Sequence, residues 1–183
     1  MNNARVSGDA TTAREMGSIL SYIYTNDSFG AGGGASPTGQ GSSSGTTART
    51  DGTARAFTEA LLKVVLQACW TSGGNPDTIM LGGFNKSAMS SFVGRGTPTE
   101  DTKAKKIIAT VDLYEGDFGM QKVRANRFMR TSDCLVLQMD MWAVAYLRNM
   151  KTTDLAITGD SRSKQILCEY TLESRNEKAS GLV

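Results

Sequence analysis

The residues best placed to do chemistry run Leu81-Gly82-Gly83-Phe84-Asn85-Lys86-Ser87. Glycines, a lysine and a hydroxyl between an apolar tetrapeptide and an amphipathic stretch would suit a turn that wraps phosphate with backbone N–H groups. The spacing falls short. A GxxxxGK[ST] loop needs glycine directly before the lysine and again five residues earlier, where this chain has Asn85 and Met80. The plainer reading of residues 82–87 is a helix start, with Asn85 as cap and Lys86 in solvent. The glycine-rich stretch further upstream has no lysine at the required offset either.

Other chemistries are thinned out by composition. The chain has no histidine, which removes Ser-His and Cys-His catalysis and most zinc sites. Carboxylates at Glu100, Asp101, Asp112, Glu115, Asp117, Asp133, Asp140, Glu169 and Glu173 mostly neighbour Lys or Arg or fall in turns, so they read as solvated charges and not as a hydrolytic pair. Neither a catalytic residue nor a metal or cofactor site is assigned. Lys122, Arg124 and Arg127, with Arg130, make a basic stretch without the interleaved aromatics that base stacking uses. It permits loose contact with DNA phosphates or with another subunit. Glu169, Glu173, Arg175, Glu177 and Lys178 mix both signs densely, as surfaces do when complementary charge sets partner register.

The totals agree with a protein that meets other proteins. Twenty basic residues stand against 18 acidic, a net of +2, too balanced for a strongly basic nucleic-acid binder. No apolar run approaches the roughly 20 residues a bilayer span needs, so no membrane partner is expected. The opening MNNARVSGDATTAREMG lacks the apolar core of a secretory signal, which predicts synthesis in a cytoplasm. Cys69, Cys134 and Cys168 lie in apolar patterns without a CxxC pair and read as small buried hydrophobes.

These residues must be positioned by a modest set of elements. Met16, Ile19, Leu20 and Ile23 recur at helical spacing in residues 14–24, interrupted by Gly17. Residues 30–53 are dominated by Gly, Ser and Thr and predict a flexible surface loop. The strongest helix is TEALLKVVLQACW, residues 58–70, with Thr58 as cap and a Glu59–Lys63 pair. Its narrow polar stripe predicts cover on most sides. Asn75-Pro76-Asp77 turns the chain into a short buried strand, residues 78–81, before a second helix over 86–93. A polar loop, 94–105, leads to a hairpin whose strands are 107–114 and 121–128, with Lys122, Arg124 and Asn126 on its wet face. Residues 134–147 read as strand, bend, strand, with the break at 138–140. Residues 150–163 read as loop. Ile166, Cys168, Tyr170 and Leu172 alternate with polar neighbours as a half-buried strand. The class is α+β, a mostly antiparallel sheet with flanking helices.

Three blocks carry a more specific signal. AFTEALLKVVLQACWTSGGNPDTIMLGGFNKSAMSSFVG, TVDLYEGDFGMQKVRANRFMR and WAVAYLRNMKTTDLAITGDSRSKQILCEYTLESRNEKASGLV occur in order, after the opening NNARVSGDATTAREMGSILSYIYTN. Together they resemble the tailed-bacteriophage (prophage) major capsid, or major head, proteins with the HK-ninety-seven-like fold. The resemblance implies a structural shell subunit that self-associates into capsomers around double-stranded DNA in a virion, made in the bacterial host cytoplasm. Its partners would be copies of itself, other head proteins such as portal or scaffold, and, non-specifically, packaged DNA.

The same resemblance divides the chain. Residues 1–29 correspond to the remnant of a spine helix and the segment after it, 30–53 to a flexible loop, 54–140 to an axial-type lobe and 141–183 to part of a peripheral-type lobe. Relatives carry an arm, an extended loop and most of the spine helix before this point, so the resemblance implies an N-terminally truncated chain that stays a monomer or small oligomer in isolation. It carries over no cross-linking residues. The subunit-contact candidates are Lys122, Arg124, Arg127, Glu169, Glu173, Arg175, Glu177 and Lys178. The alternatives from other classes are a phosphate- or nucleotide-binding enzyme using residues 82–87, and a DNA-contacting accessory protein using the basic stretch.

Overall fold

The computed structural model describes residues 2–31, 44–92, 112–157 and 159–183. The first helical pattern yields only one turn, α1 (Ile19–Tyr22). Glu15, expected inside that helix, instead exchanges backbone hydrogen bonds with Val6. A short helix must recover its nucleation cost from packing, and Gly17 is pressed against Arg5 instead of continuing the turn.

The main helix, α2 (Glu59–Thr71), forms within a residue of expectation, and Lys63 Nζ lies 2.9 Å from Glu59 Oε1. Thr58 occupies the N-cap with extended backbone, but its side chain makes no capping bond. Only one face is covered, through Leu62, Val65, Leu66 and Cys69. Val64 is 57% exposed and Trp70 60%, so the expectation of cover on most sides does not hold within one chain.

Strand β1 (Thr78–Leu81) follows. Helix α3 (Gly83–Ser90) starts before the expected position, with Gly82 at its N-cap. Asn85 is therefore not a cap. It is buried in the first turn and donates through Nδ2 to the Asp133 carbonyl at 3.2 Å. Of the predicted hairpin, residues 107–111 lie outside the described residues, as do 94–105. The rest forms β2 (Leu113–Gly116) and β3 (Gly119–Ala125), closed by Asp117 and Phe118. Gly119 has φ +107°, a backbone state that side-chain-bearing residues resist.

Strand β4 (Cys134–Leu137), a 3-10 turn (Met139–Met141) and strand β5 (Trp142–Asp154) confirm strand, bend, strand. β5, however, runs on to Asp154, into the first part of the polar stretch 150–163 expected to be loop. It pairs antiparallel with β6 (Lys164–Ser174) as a long two-stranded ribbon, while residues 155–157 and 159–163 connect the two strands. Such a ribbon is wetted on both faces, so polarity along it does not mark a loop. A 3-10 turn (Glu177–Ala179) and the short β7 (Gly181–Leu182) end the chain.

The larger sheet has the order β2-β3-β1-β4-β7, with β1 and β3 parallel and the other pairs antiparallel. Side chains alternate across it. Ile79, Leu81, Val123, Cys134 and Val136 face α2 and Met89 of α3 in one core. Leu135 and Leu137 face the other way, against Leu20, Ile23 and Leu182 in a second core. β4 is buried on both faces for this reason, which explains its unbroken apolar sequence. The second core covers only the β4 end of its sheet face. On the β2–β3 end Leu113, Met120, Lys122 and Arg124 stay exposed.

The described part of the Gly/Ser/Thr stretch is not a plain surface loop. Arg49 is only 6% exposed. Its guanidinium donates to the Leu20 carbonyl at 3.2 Å, to the Ile23 carbonyl and to Asp27 Oδ2 at 2.9 Å. The cation also lies 4.7 Å above the Phe29 ring. Residues 32–43 lie outside the described residues.

Candidate subunit-contact surfaces

The 82–87 turn is used up by its own fold. Asn85 points into the protein, Lys86 Nζ lies 3.1 Å from Asp112 Oδ1, and Ser87 Oγ donates to the Gly83 carbonyl at 3.2 Å. A Cβ on Gly82 would meet the Arg130 carbonyl at 3.0 Å. The glycine thus admits a neighbouring backbone segment.

The basic stretch divides. Lys122 and Arg124 project from β3 on the open end of the sheet, and Arg127 is exposed in the turn beyond it. Arg130 belongs elsewhere. It bonds Asp51 and lies 3.3 Å from Asp133 Oδ2. The Asp51 bond above all, then the neighbouring negative charges, raise its pKa against the opposing effect of burial. What is left on the open face is two cations and the exposed Glu115 beside Leu113 and Met120, with Lys122 and Arg124 opposite in register to Thr78 and Met80 of β1.

The C-terminal charges also divide. Glu169 accepts from Arg148 Nε at 2.8 Å and Nη2 at 2.6 Å across the ribbon. This bidentate bond is the main reason that the Glu169 carboxyl is held below, and the Arg148 guanidinium above, its ordinary value. Glu173 lies 3.2 Å from Arg175. Glu177 is spent inside the chain: its carboxylate accepts from the backbone of Tyr24 and Thr25 at 3.3 Å each, and from Thr25 Oγ1 at 2.6 Å. The Lys178 carbonyl accepts from Asn26 Nδ2 at 2.5 Å while its side chain stays exposed. Of the candidates, Lys122, Arg124, Arg127, Glu173, Arg175 and Lys178 face solvent, whereas Glu169 and Glu177 are half-buried in pairs within the chain.

Sequence reasoning passed over the exposed apolar residues. The alternation of Ile166, Cys168, Tyr170 and Leu172 does place these four on one face, but that face is open, with Ile166 66% and Tyr170 56% exposed. A groove of about 440 Å³ lies at the ribbon's base, lined among others by Met80, Leu135, Leu137, Trp142, Val144 and Leu172. A second exposed cluster joins Trp70 at the end of α2 to Phe118 in the β2–β3 turn, ring centroids 5.7 Å apart. Among the described residues no group of acidic and cysteine side chains is arranged to hold a metal ion, and no helix is long and apolar enough to cross a membrane.

Residues 1–183 match the SU10 major capsid protein family. No curated protein matches the chain.

Proposed function

The chain belongs to the SU10 major capsid protein family, and on that premise we propose how this structural subunit meets its neighbours in the shell. Membership makes it a phage capsid subunit that self-assembles, located in the virion capsid. The observation that carries this is the family match along residues 1–183. The α+β architecture, with its mixed sheet and flanking helices, is compatible with part of a major capsid fold.

The finer reading is ours. Residues 54–140 form the axial-type lobe and 141–183 a peripheral-type segment, with the ribbon as its long arm. The charged contacts between copies run through Lys122, Arg124 and Arg127 on the open sheet end and through Glu173, Arg175 and Lys178 on the ribbon side. Glu169 and Glu177 act at one remove, by fixing the ribbon pairing and the C-terminal turn. Portal or scaffold proteins dock on the same subunit, which is made in the host cytoplasm and works without catalysis. Lys122 and Arg124, adjacent and exposed, also suit non-specific contact with packaged DNA, which would weaken steeply as salt rises.

The test is incorporation. A tagged copy of the chain, produced in host cells during phage growth, should be recovered in purified shells. Reversing Glu173→Lys and Arg175→Glu together should reduce its share. A chain absent from shells under all conditions would sink the reading. An unchanged share after reversal would remove those two residues from the contact.

A further inference from the structure

In antiparallel pairing, residues directly opposite one another project from the same face. Trp142 faces Ser174, Val144 faces Leu172, and Tyr146 faces Tyr170. The register shifts beyond Tyr146 take up extra residues on β5, so β6 keeps its alternation. Cys168 and Ile166 therefore continue the same face. From Trp142 to Ile166 this face carries no charged side chain. The opposite face holds the Arg148–Glu169 pair, Lys151 and Glu173.

Beyond Trp142, which packs against the second core, the apolar face is open. Val144 is 53% exposed and Tyr146 59%, and the Tyr146 and Tyr170 rings lie 6.0 Å apart. Neither strand has a second neighbour among the described residues. At the ribbon's base Trp142, Val144 and Leu172 also line the groove, together with Met80, Leu135 and Leu137 of the larger sheet. One apolar surface thus runs from the sheet out along the ribbon. A two-stranded ribbon is at best marginally stable alone in water, and a contiguous apolar patch of this kind marks an interaction site.

We propose that this surface, the ribbon's uncharged face with the groove at its base, is the seat of a second copy of the chain. The inference rests on the assembly reading above and names the surface that carries it. Nucleic acid is the wrong occupant, because phosphates need available cations. The ribbon face from Trp142 to Ile166 has none. Arg130 in the groove lining is paired with Asp51 and Asp133, and Lys164 beyond Ile166 is paired with Asp154. Paired tyrosines beside a tryptophan are the residue types that dominate the centres of protein interfaces. A self-assembling capsid subunit meets its own copies as neighbours. In this arrangement the charged contacts form a rim that sets register, and the ribbon face supplies most of the affinity.

Two measurements test it. First, a photo-reactive phenylalanine analogue at position 146, in a mixture of light and isotope-labelled chains, should give light–heavy cross-links. Second, Tyr146→Glu with Tyr170→Glu should weaken self-association by about tenfold or more in sedimentation, whereas Lys151→Ala on the opposite face should change it less than about twofold. Ile166→Lys, near the far end of the same face, repeats the test should the double variant unfold. Cross-links confined to single copies, or association that the face substitutions leave unchanged, overturn the inference. If the face substitutions do nothing while the Glu173→Lys and Arg175→Glu reversal still lowers recovery in shells, assembly stands and only this surface is wrong. A wild-type chain that neither associates nor enters shells defeats both readings.

Discussion

Arg49 and Asp27 form an ion pair at 2.9 Å in which the arginine side chain is 3% exposed and the carboxylate 12%. The same guanidinium holds the carbonyls at both ends of the α1 region, Leu20 and Ile23, so one side chain fastens the 44–53 segment to the second core. Arg49→Met keeps much of the bulk but removes every one of these donors. Removing one partner of a buried pair is far more damaging than the net value of the pair. The expected loss is about 3 kcal/mol, read as a lowered midpoint in urea. A change below a few tenths of a kcal/mol would show that the clasp adds nothing.

Gly181 is the second point where the chain has no room. A Cβ there would lie 2.4 Å from Val65 Cγ1, 2.9 Å from the Asn26 carbonyl and 3.0 Å from Cys69 Sγ. β7 is thereby pressed between α2 and the segment after α1. Gly181→Ala should cost about 2 kcal/mol by overpacking, whereas Gly83→Ala, with open space around the added methyl, should be close to neutral. Paired thermal melts of the two variants decide it.

Much of this arrangement is legible in the residues. TIML between Asn75-Pro76-Asp77 and Gly82-Gly83 can be little but a short buried strand, and β1 has those limits. The apolar run CLVL gives β4, and the alternation in β6 puts the right residues on one face. What periodicity does not carry is which face is covered, and by whom. Val64, Trp70, Ile166 and Tyr170 look like core and are exposed in the single chain, as expected of a subunit whose remaining cover comes from outside it. Arg49 had no local signal, since a lone arginine among Gly, Ser and Thr looks solvated. The loop assignment for residues 150–163 failed only at its start, where β5 continues to Asp154, because the ribbon tolerates polar residues on both sides; residues 155–157 and 159–163 do lie between the two strands. Of the contact candidates, charge found those that face solvent, but it could not tell that Glu177 is consumed by Tyr24 and Thr25.

Asp9 gives a pH-dependent test of local order. Its carboxylate accepts from the backbone N–H of Thr11 at 2.8 Å, from the Thr11 hydroxyl at 2.9 Å and from the backbone N–H of Thr12 at 2.7 Å. Bonds to the charged form, the Thr11 backbone first, hold its pKa down to about 2. With the folded value depressed, the turn's stabilisation is complete above the ordinary carboxylate range and fades as pH falls toward about 2. An NMR titration should find the Asp9 midpoint well below those of the exposed carboxylates. Thr11→Ala removes only the hydroxyl donor and should raise that midpoint part of the way. An Asp9 that titrates with the others would mean the turn does not form.

The three cysteines differ in a way that reports on the ribbon. Burial pushes the Cys69 thiol up to about 12 and raises Cys134 as well, and the reactive species is the thiolate. Both are enclosed in the core, so neither should react with a thiol reagent at pH 8 while the chain is folded. Cys168 is half-exposed on the uncharged ribbon face. A dilute native chain should therefore show one reactive thiol, and denaturant should release the other two. If a second copy seats on that face, Cys168 labelling should slow as concentration rises, and Tyr146→Glu with Tyr170→Glu should restore the dilute rate. Labelling of Cys168 that is indifferent to concentration, in a chain that sedimentation shows to be associated, would place the contact elsewhere.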